Sequence, residues 1–355
     1  MQGYSLLKKY KLLILFCSIG IIAVATFISL FNNSKRIDRA FYYWKTDFSL
    51  SQSQKSLLNN LGVKKIFVKY FDVDWDGANQ RPMPVAQIKF STKFGEQLEI
   101  IPVVFITNKT LVNSSENSIP KLAKNIFNNV KAISEMNNIP YNEIQLDCDW
   151  TISTKQKYFE LISQIKSIVD DEKIIVSVTI RLHQIKFYNK TGIPPADRGM
   201  LMFYNMGKID SSLVSNSIFN EKEAAKYINY IRDYPLALDA ALPIFSWVIH
   251  FRKGMPIQML DKSSIERIRS DNRFVRHAKD YYVANSSFFL NGSYILKDDV
   301  LKIEEITPAL SSLSAEMLNG KLKYEDKTIS LFDLDSLNIS RYSYEELNQL
   351  YENFQ

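Results

Sequence analysis

Seven short apolar runs, at 40–44, 65–71, 99–107, 143–150, 173–182, 199–207 and 236–247, alternate with stretches whose apolar residues return at helical spacing. A strand followed by a helix, repeated, builds βαβ units and a parallel sheet. The helical stretches carry their own boundary signals. Gly62 closes 52–62, Pro120 stands in the first turn of 119–138, and Ser153 is placed to cap 153–169. A helix at 221–234 precedes the seventh run. An eighth run, 328–337, is followed by the helix 343–354. Eight such units predict an α/β fold of the (β/α)₈ TIM type over residues 36–355. Residues 280–305 break the alternation and carry Asn291-Gly292, a hairpin signal. They predict a small β-hairpin insertion between strands seven and eight, bounded at about 251–306.

From Leu12 to Phe31 the chain runs twenty residues without a charge. That is about 30 Å of helix, enough to cross a bilayer. Lys8, Lys9 and Lys11 precede the run, and Lys35, Arg36 and Arg39 follow it, so the charge bias that sets orientation is weak. A cleaved signal peptide has a shorter apolar core and a small-residue cleavage site. A lipoprotein reading of Cys17 meets a bulky Phe16 and an apolar run that continues beyond it. The expectation is a single-pass membrane protein: residues 1–35 form a cytoplasmic stub and transmembrane anchor, and the C-terminal barrel lies outside the cytoplasm. The net charge of +6 is spread along the chain, with no Lys/Arg block, which argues against nucleic acid. Two cysteines, Cys17 and Cys148, furnish neither a disulfide framework nor a cysteine zinc site. No cofactor is expected, and no protein partner can be read from the chain.

The chemistry concentrates in "EIQLDCDWT", residues 143–151. Successive strand side chains point to opposite faces. Ile144, Leu146, Cys148 and Trp150 then face the helices, while Gln145, Asp147 and Asp149 line the barrel, the aspartates nearest its C-terminal mouth, where active sites of this fold lie. Alternate residues are about 6.5–7 Å apart, close enough for one carboxylate to raise the pKa of the other. A plain capped strand end is the competing reading. In "VSVTIRLHQ", Ser177, Thr179, Arg181 and His183 share the inward face. Arg181 can pair with either aspartate, as structure or as a substrate clamp. His183 is a candidate acid or base, or a surface histidine. Met202 and Tyr204 share a face at the sixth run, with Asn205 beside them.

"LDCDWT" resembles part of the D-x-x-D-x-D-x-E motif at the fourth barrel strand of family 18 glycoside hydrolases, the chitinase family. "MFYN" (202–205) is similar to that family's M-x-Y-D at the sixth strand. The resemblance implies a glycan-acting barrel in which a sugar N-acetyl group attacks, Asp149 orients it and Tyr204 bonds it. Asp147, Asp149 and Tyr204 are thus the candidate catalytic residues. Trp44, Arg181, His183, Asn205 and Trp247 are the candidate substrate-binding residues. Two departures matter. The family's proton-donating Glu falls at Thr151, and its first Asp at Ile144. Glu143 reads as lying at the strand's start with the wrong parity, which leaves Asp72, Asp74, Asp76 or His183 to approach the mouth.

"DVDWDG" (72–77) has the start of a calcium loop, but Met83 replaces the bidentate Glu of an EF-hand, so a solvated loop is the simpler reading. A metal site from Asp147, Asp149, His183 and His250 lacks any ligand-spacing motif, and no metal is expected. Trp44, Trp75, Trp150 and Trp247 stand near strand ends, and Trp247 is the preferred sugar platform. Lys69 is the one charge in an apolar strand, lining the barrel or snorkelling outward. Two functions remain open: a membrane-anchored glycoside-hydrolase-like barrel acting on a polysaccharide or amino-sugar glycan, or a non-catalytic carbohydrate-binding barrel that has lost its general acid.

Overall fold

Eight parallel strands close on themselves: β1 (Ile37–Tyr43), β2 (Lys65–Asp76), β3 (Glu99–Ile106), β4 (Glu143–Asp147), β5 (Ile175–Arg181), β6 (Arg198–Met202), β7 (Leu238–Pro243) and β8 (Lys327–Phe332). β1 pairs in parallel with both β8 and β2, which seals the barrel. These contacts come from a computed structural model, which describes residues 37–355 apart from 93–97, 208, 210–215 and 325. The apolar run at 12–31 lies outside the described residues. Among the described residues no helix is long and apolar enough to cross a membrane.

The outer helices form where the spacing places them. Ile119–Asn137 buries Leu122, Ala123, Ile126, Phe127 and Val130 along one face, with Pro120 in its first turn and Asn138 closing it in the left-handed region at φ 53°. Lys155–Val169 packs on it, and its capping position is Thr154, one residue beyond the expected Ser153. Tyr344–Glu352 opens on Ser343, whose side chain and that of Glu346 form a capping box. The helix expected at 221–234 is shorter, Glu221–Ala225 followed by a single 3₁₀ turn at Ile228–Tyr230. Pro235 disfavours helical backbone just before it.

Two expectations need correction. β2 does not stop at residue 71. It runs to Asp76, turns back and pairs antiparallel with Arg81–Val85, so 72–77 is mostly strand rather than solvated loop. Its carboxylates diverge: Asp72 pairs with Lys69, Asp74 accepts from Thr107 and Asp76 accepts from Asn79. The insertion, too, is more than a hairpin. Strands Ser246–Arg252, Met255–Leu260, Phe274–Ala278, Tyr281–Ala284 and Val300–Glu305 form a five-stranded antiparallel sheet. Its own core contains Val248, Leu260, Ile268, Phe274 and Leu301. The Asn291-Gly292 turn joins a separate two-stranded piece, Phe288–Leu290 with Ser293–Ile295. The insertion begins at Ser246 because the run 236–247 is not one strand: β7 ends at Pro243, and the chain reverses partner before Trp247. It returns to the barrel before the helix Pro308–Leu318.

Candidate active site

Inside the barrel, β4 and β5 face each other through a ladder of polar side chains. The register pairs Gln145 with Ser177. Ser177 donates to Glu143 at 2.5 Å and accepts from Gln145 at 3.3 Å, while Gln145 accepts from the Tyr42 hydroxyl at 2.5 Å. Glu143 therefore shares the inward face with Gln145, against the sequence reading. One rung higher, Thr179 donates to Asp147 at 2.6 Å. At the mouth, Arg181 donates from Nε to Asp149 at 2.5 Å, and its Nη2 lies 3.5 Å from Asp147. Cys148 and Trp150 take the other face, Trp150 stacking on Tyr158 at 5.1 Å.

This ladder ends in a cavity of about 590 Å³ at the C-terminal ends of the strands. Trp44, Asp147, Asp149, Arg181, Tyr204, Asn205 and Trp247 all line it. So do residues that the sequence reading did not single out: Lys45, Phe245, Lys262, Phe332, Asp333 and Asp335. A depression of about 620 Å³ on the barrel flank, between the β2 hairpin and the helix Ile119–Asn137, has Arg81 as its one charged side chain and offers no acid–base pair.

One wall of the cavity is aromatic. Trp44, Phe332, Tyr204, Phe245 and Trp247 follow one another with ring centroids 5.2–5.5 Å apart. Trp247 belongs to the insertion, and Glu304 accepts its indole N–H at 2.8 Å. Glu304 also accepts from the Ser217 backbone N–H and hydroxyl. The insertion thus supplies part of the wall and holds it in place. Asn205, three residues after β6, lines the rim and adopts a left-handed backbone, φ 55°.

The charges are unequal. Asp147 is 2% exposed, and burial pushes its pKa up, with Arg181 and Thr179 pulling against the rise. The Asp149 side chain is 59% exposed. Burial works against the Arg181 charge, yet Asp147 and Asp149 together hold its pKa above the usual value. Burial also raises Tyr204, which sits among Arg181, Asp147, Asp333 and Asp149. Across the cavity, Asp333 follows β8 and is raised by burial, more than Lys262 offsets. Asp335 is also buried, but Lys45 at 2.6 Å and Lys262 at 3.3 Å bring it below the ordinary range. Lys69 is buried in the barrel, 2.9 Å from Asp72 and 5.6 Å from the centre of the Trp44 ring.

His183 is not in this cavity. It shares a neighbouring, mostly apolar depression of about 710 Å³ with Trp150, Thr151, Ile152 and Phe187. β5 stops at Arg181 and the helix Leu182–Lys186 begins at once, so the alternation that would turn His183 inward ends two residues early. Thr151, at the family's acid position, is exposed there and bonds Ser153 and Thr154. His250 lies inside the insertion, buried 2.7 Å from Asp299, and does not line the cavity. Among the described residues no group of three His, Cys, Asp or Glu is arranged to hold a metal ion.

Asp333 and Asp335 carried a signal that sequence reading could have used. "LFDLDS" repeats the pattern of "QLDCDW": two carboxylates flanking one residue at the end of a barrel strand.

No family model and no curated protein matches the sequence. Solved structures do. The spore cortex-lytic enzyme SleL of Bacillus cereus is 14% identical, with a TM-score of 0.51 over 90% of this chain and 74% of that one. The GH18 chitinase ChiB of Flavobacterium johnsoniae is 10% identical, with a TM-score of 0.54 over 90% of this chain and 94% of that one. A chitinase from Chromobacterium violaceum is 10% identical, with a TM-score of 0.52 over 89% and 99%. The likeness is one of fold: a closed parallel eight-stranded barrel resembling that of family 18 glycoside hydrolases.

Proposed function

We propose that this chain is a membrane-anchored glycoside-hydrolase-like barrel, exposed outside the cytoplasm, that binds and cleaves an amino-sugar glycan in the cavity at its mouth. The observation that carries the reading is the convergence of Asp147, Asp149, Arg181 and Tyr204, from β4, β5 and the segment after β6, on one cavity walled by aromatic rings. Aromatic faces suit the apolar faces of sugar rings, and the polar groups opposite can fix the hydroxyl and acetamido groups. The fold neighbours support the substrate class, since their names are those of chitinases and a cortex-lytic enzyme.

In this reading the sugar acetamido oxygen closes on C1 as the glycosidic bond breaks. Arg181 holds Asp149 by Oδ1, and among the described residues Oδ2 makes no hydrogen bond, so it is free to accept the acetamido N–H. The Tyr204 hydroxyl, which donates to Met202 Sδ at 3.1 Å, would turn to the carbonyl side of the acetamido group. Burial favours the protonated form of Asp147, against the pull of Arg181 and Thr179, which sets it apart from the exposed Asp149. The membrane anchor rests on the uncharged run 12–31.

Thr151 favours a second reading, a carbohydrate-binding barrel without hydrolysis, because it cannot protonate a leaving group and lies outside the cavity. Incubation of the purified chain with N-acetylchito-oligosaccharides and with peptidoglycan, followed by product analysis and calorimetric titration, separates the two. Shorter products support cleavage, binding without products supports the second reading, and neither binding nor cleavage defeats both.

A further inference from the structure

We infer that Asp333 is the general acid that replaces the missing glutamate, an inference that rests on the glycan-cleaving reading of the same cavity. Five aspartates line the cavity. Asp261, after the insertion strand Met255–Leu260, is exposed and accepts from the Ser263 N–H at 2.8 Å. The other four follow or end barrel strands, and three of these are otherwise engaged. Asp147 accepts from Thr179 and lies beneath Arg181. Asp149 is ion-paired to Arg181 at 2.5 Å and open to solvent. Asp335 is gripped by Lys45 and Lys262 and caps the helix Ser336–Ile339 by accepting from the Leu337 N–H at 2.8 Å. A group held as an anion by two ammonium ions cannot deliver a proton.

Among the described residues Asp333 has a single, longer cation contact, to Lys262 at 3.5 Å. It is 7% exposed, directly follows Phe332 of the aromatic wall, and reaches the cavity from the side opposite β4. Both its bonds fall on one oxygen: Asn338 Nδ2 and Lys262 Nζ, the latter at 3.5 Å, contact Oδ1. Among the described residues Oδ2 makes no hydrogen bond. The carboxyl is therefore held in orientation by one oxygen, with the other left for a proton and a substrate. The charged and titratable groups that act on it are Lys262 from the insertion, Lys45 after β1, Asp335 from its own segment, Tyr204 after β6 and Arg341 after the helix Ser336–Ile339. Burial outweighs the Lys262 charge and favours the protonated form, as a general acid requires.

The step balances. The Asp333 proton passes to the glycosidic oxygen as the C1–O bond breaks and its electron pair goes to that oxygen. The acetamido oxygen bonds C1, giving a cyclic oxazolinium ion. Water then attacks C1, its proton passes to the Asp333 carboxylate, and the acetamide reopens. Overall, one water is consumed and one glycosidic bond is exchanged for two hydroxyls.

The test compares the full-length protein with Asp333→Asn on two substrates, an N-acetylchito-oligosaccharide and the 2,4-dinitrophenyl glycoside of the same sugar. The nitrophenolate leaves without a proton. Asp333→Asn should lose about 10²–10⁴-fold in kcat/KM on the oligosaccharide and less than about tenfold on the dinitrophenyl glycoside. In wild-type protein, the alkaline limb of the pH profile should appear with the oligosaccharide and be absent with the dinitrophenyl glycoside. That measurement needs no variant and stands if Asp333→Asn fails to fold. Equal losses on both substrates, or an alkaline limb common to both, overturn the assignment of Asp333 while leaving hydrolysis intact. A wild-type protein that cleaves neither substrate overturns the hydrolytic reading, and Asp333 as acid with it.

Discussion

Arg181 ties the ends of β4 and β5 together by bonding Asp149 at 2.5 Å while its other arm overhangs Asp147 at 3.5 Å. The two contacts differ in kind. The first is with a largely exposed carboxylate, the second with one almost wholly buried.

That difference predicts how the pair responds to substitution. Exposed ion pairs contribute little, so Asp149→Asn should change stability by less than about 1 kcal/mol. Arg181→Met leaves Asp147 buried without its cation and should cost about 3 kcal/mol. Adding Asp147→Asn to Arg181→Met should recover much of that loss. Denaturant melts of the four proteins measure these differences. Glycan affinity per folded molecule should fall for Asp149→Asn although the fold is intact. A large loss of stability in Asp149→Asn with unchanged affinity would make the aspartate a strut rather than part of a cleft.

Glu143 gives the barrel a pH dependence of its own. Burial lifts its pKa from the ordinary 4.5 to about 7, with Ser177 opposing and Asp239 adding to the rise. The folded state therefore holds this proton more tightly than the unfolded chain. The resulting stability is complete below pH 4.5 and is lost as pH rises through 7. Glu143→Gln keeps an acceptor for Ser177 and carries no charge. It should match wild type near pH 4 and exceed it by roughly 3 kcal/mol above pH 8. Chemical denaturation across that range tests the sign, and a difference independent of pH would contradict it.

Strand parity made the inner faces of β4 and β5 legible, because the two-residue period continues as long as the strand does. It failed where the backbone changed period. Extending β5 past Arg181 turns His183 inward, but a helix starts there and rotates it away. Three aspartates in six residues look like a loop after residue 71, whereas a partner strand at 81–85 keeps them extended within β2. The run 236–247 hid a change of sheet, since apolar residues continue across Pro243 while the hydrogen-bonding partner changes. Asp333 and Lys262 are 71 residues apart and meet only because the insertion folds back over the mouth. Local pattern carries no record of such convergence.

The insertion's part in ligand binding can be measured through Trp247. Its ring closes the aromatic wall, and Glu304 fixes the indole by a 2.8 Å hydrogen bond. Trp247→Ala should weaken N-acetylchito-oligosaccharide binding about tenfold, or about 1.4 kcal/mol. Trp247→Phe keeps a face and loses the N–H, so it should recover part of the affinity. Isothermal titration gives both values, and an unchanged dissociation constant for Trp247→Ala would place the glycan elsewhere.

The run from Leu12 to Phe31 predicts membrane retention by hydrophobic insertion rather than by charge. The distinction matters because a net charge of +6 could by itself hold the chain to anionic lipid. Salt screens that attraction over about 10 Å at 0.1 M and about 3 Å at 1 M, but leaves buried apolar helix unaffected. Full-length protein should therefore stay with membranes through washes in 1 M salt and alkaline carbonate, and leave only with detergent. Protein beginning at residue 36 should appear in the soluble fraction under all conditions, at unchanged melting temperature. Protease added outside intact cells should digest the barrel of the full-length protein if it faces outward. Release of the full-length chain by salt alone would assign retention to its charge, and equal solubility of the two forms would remove the anchor.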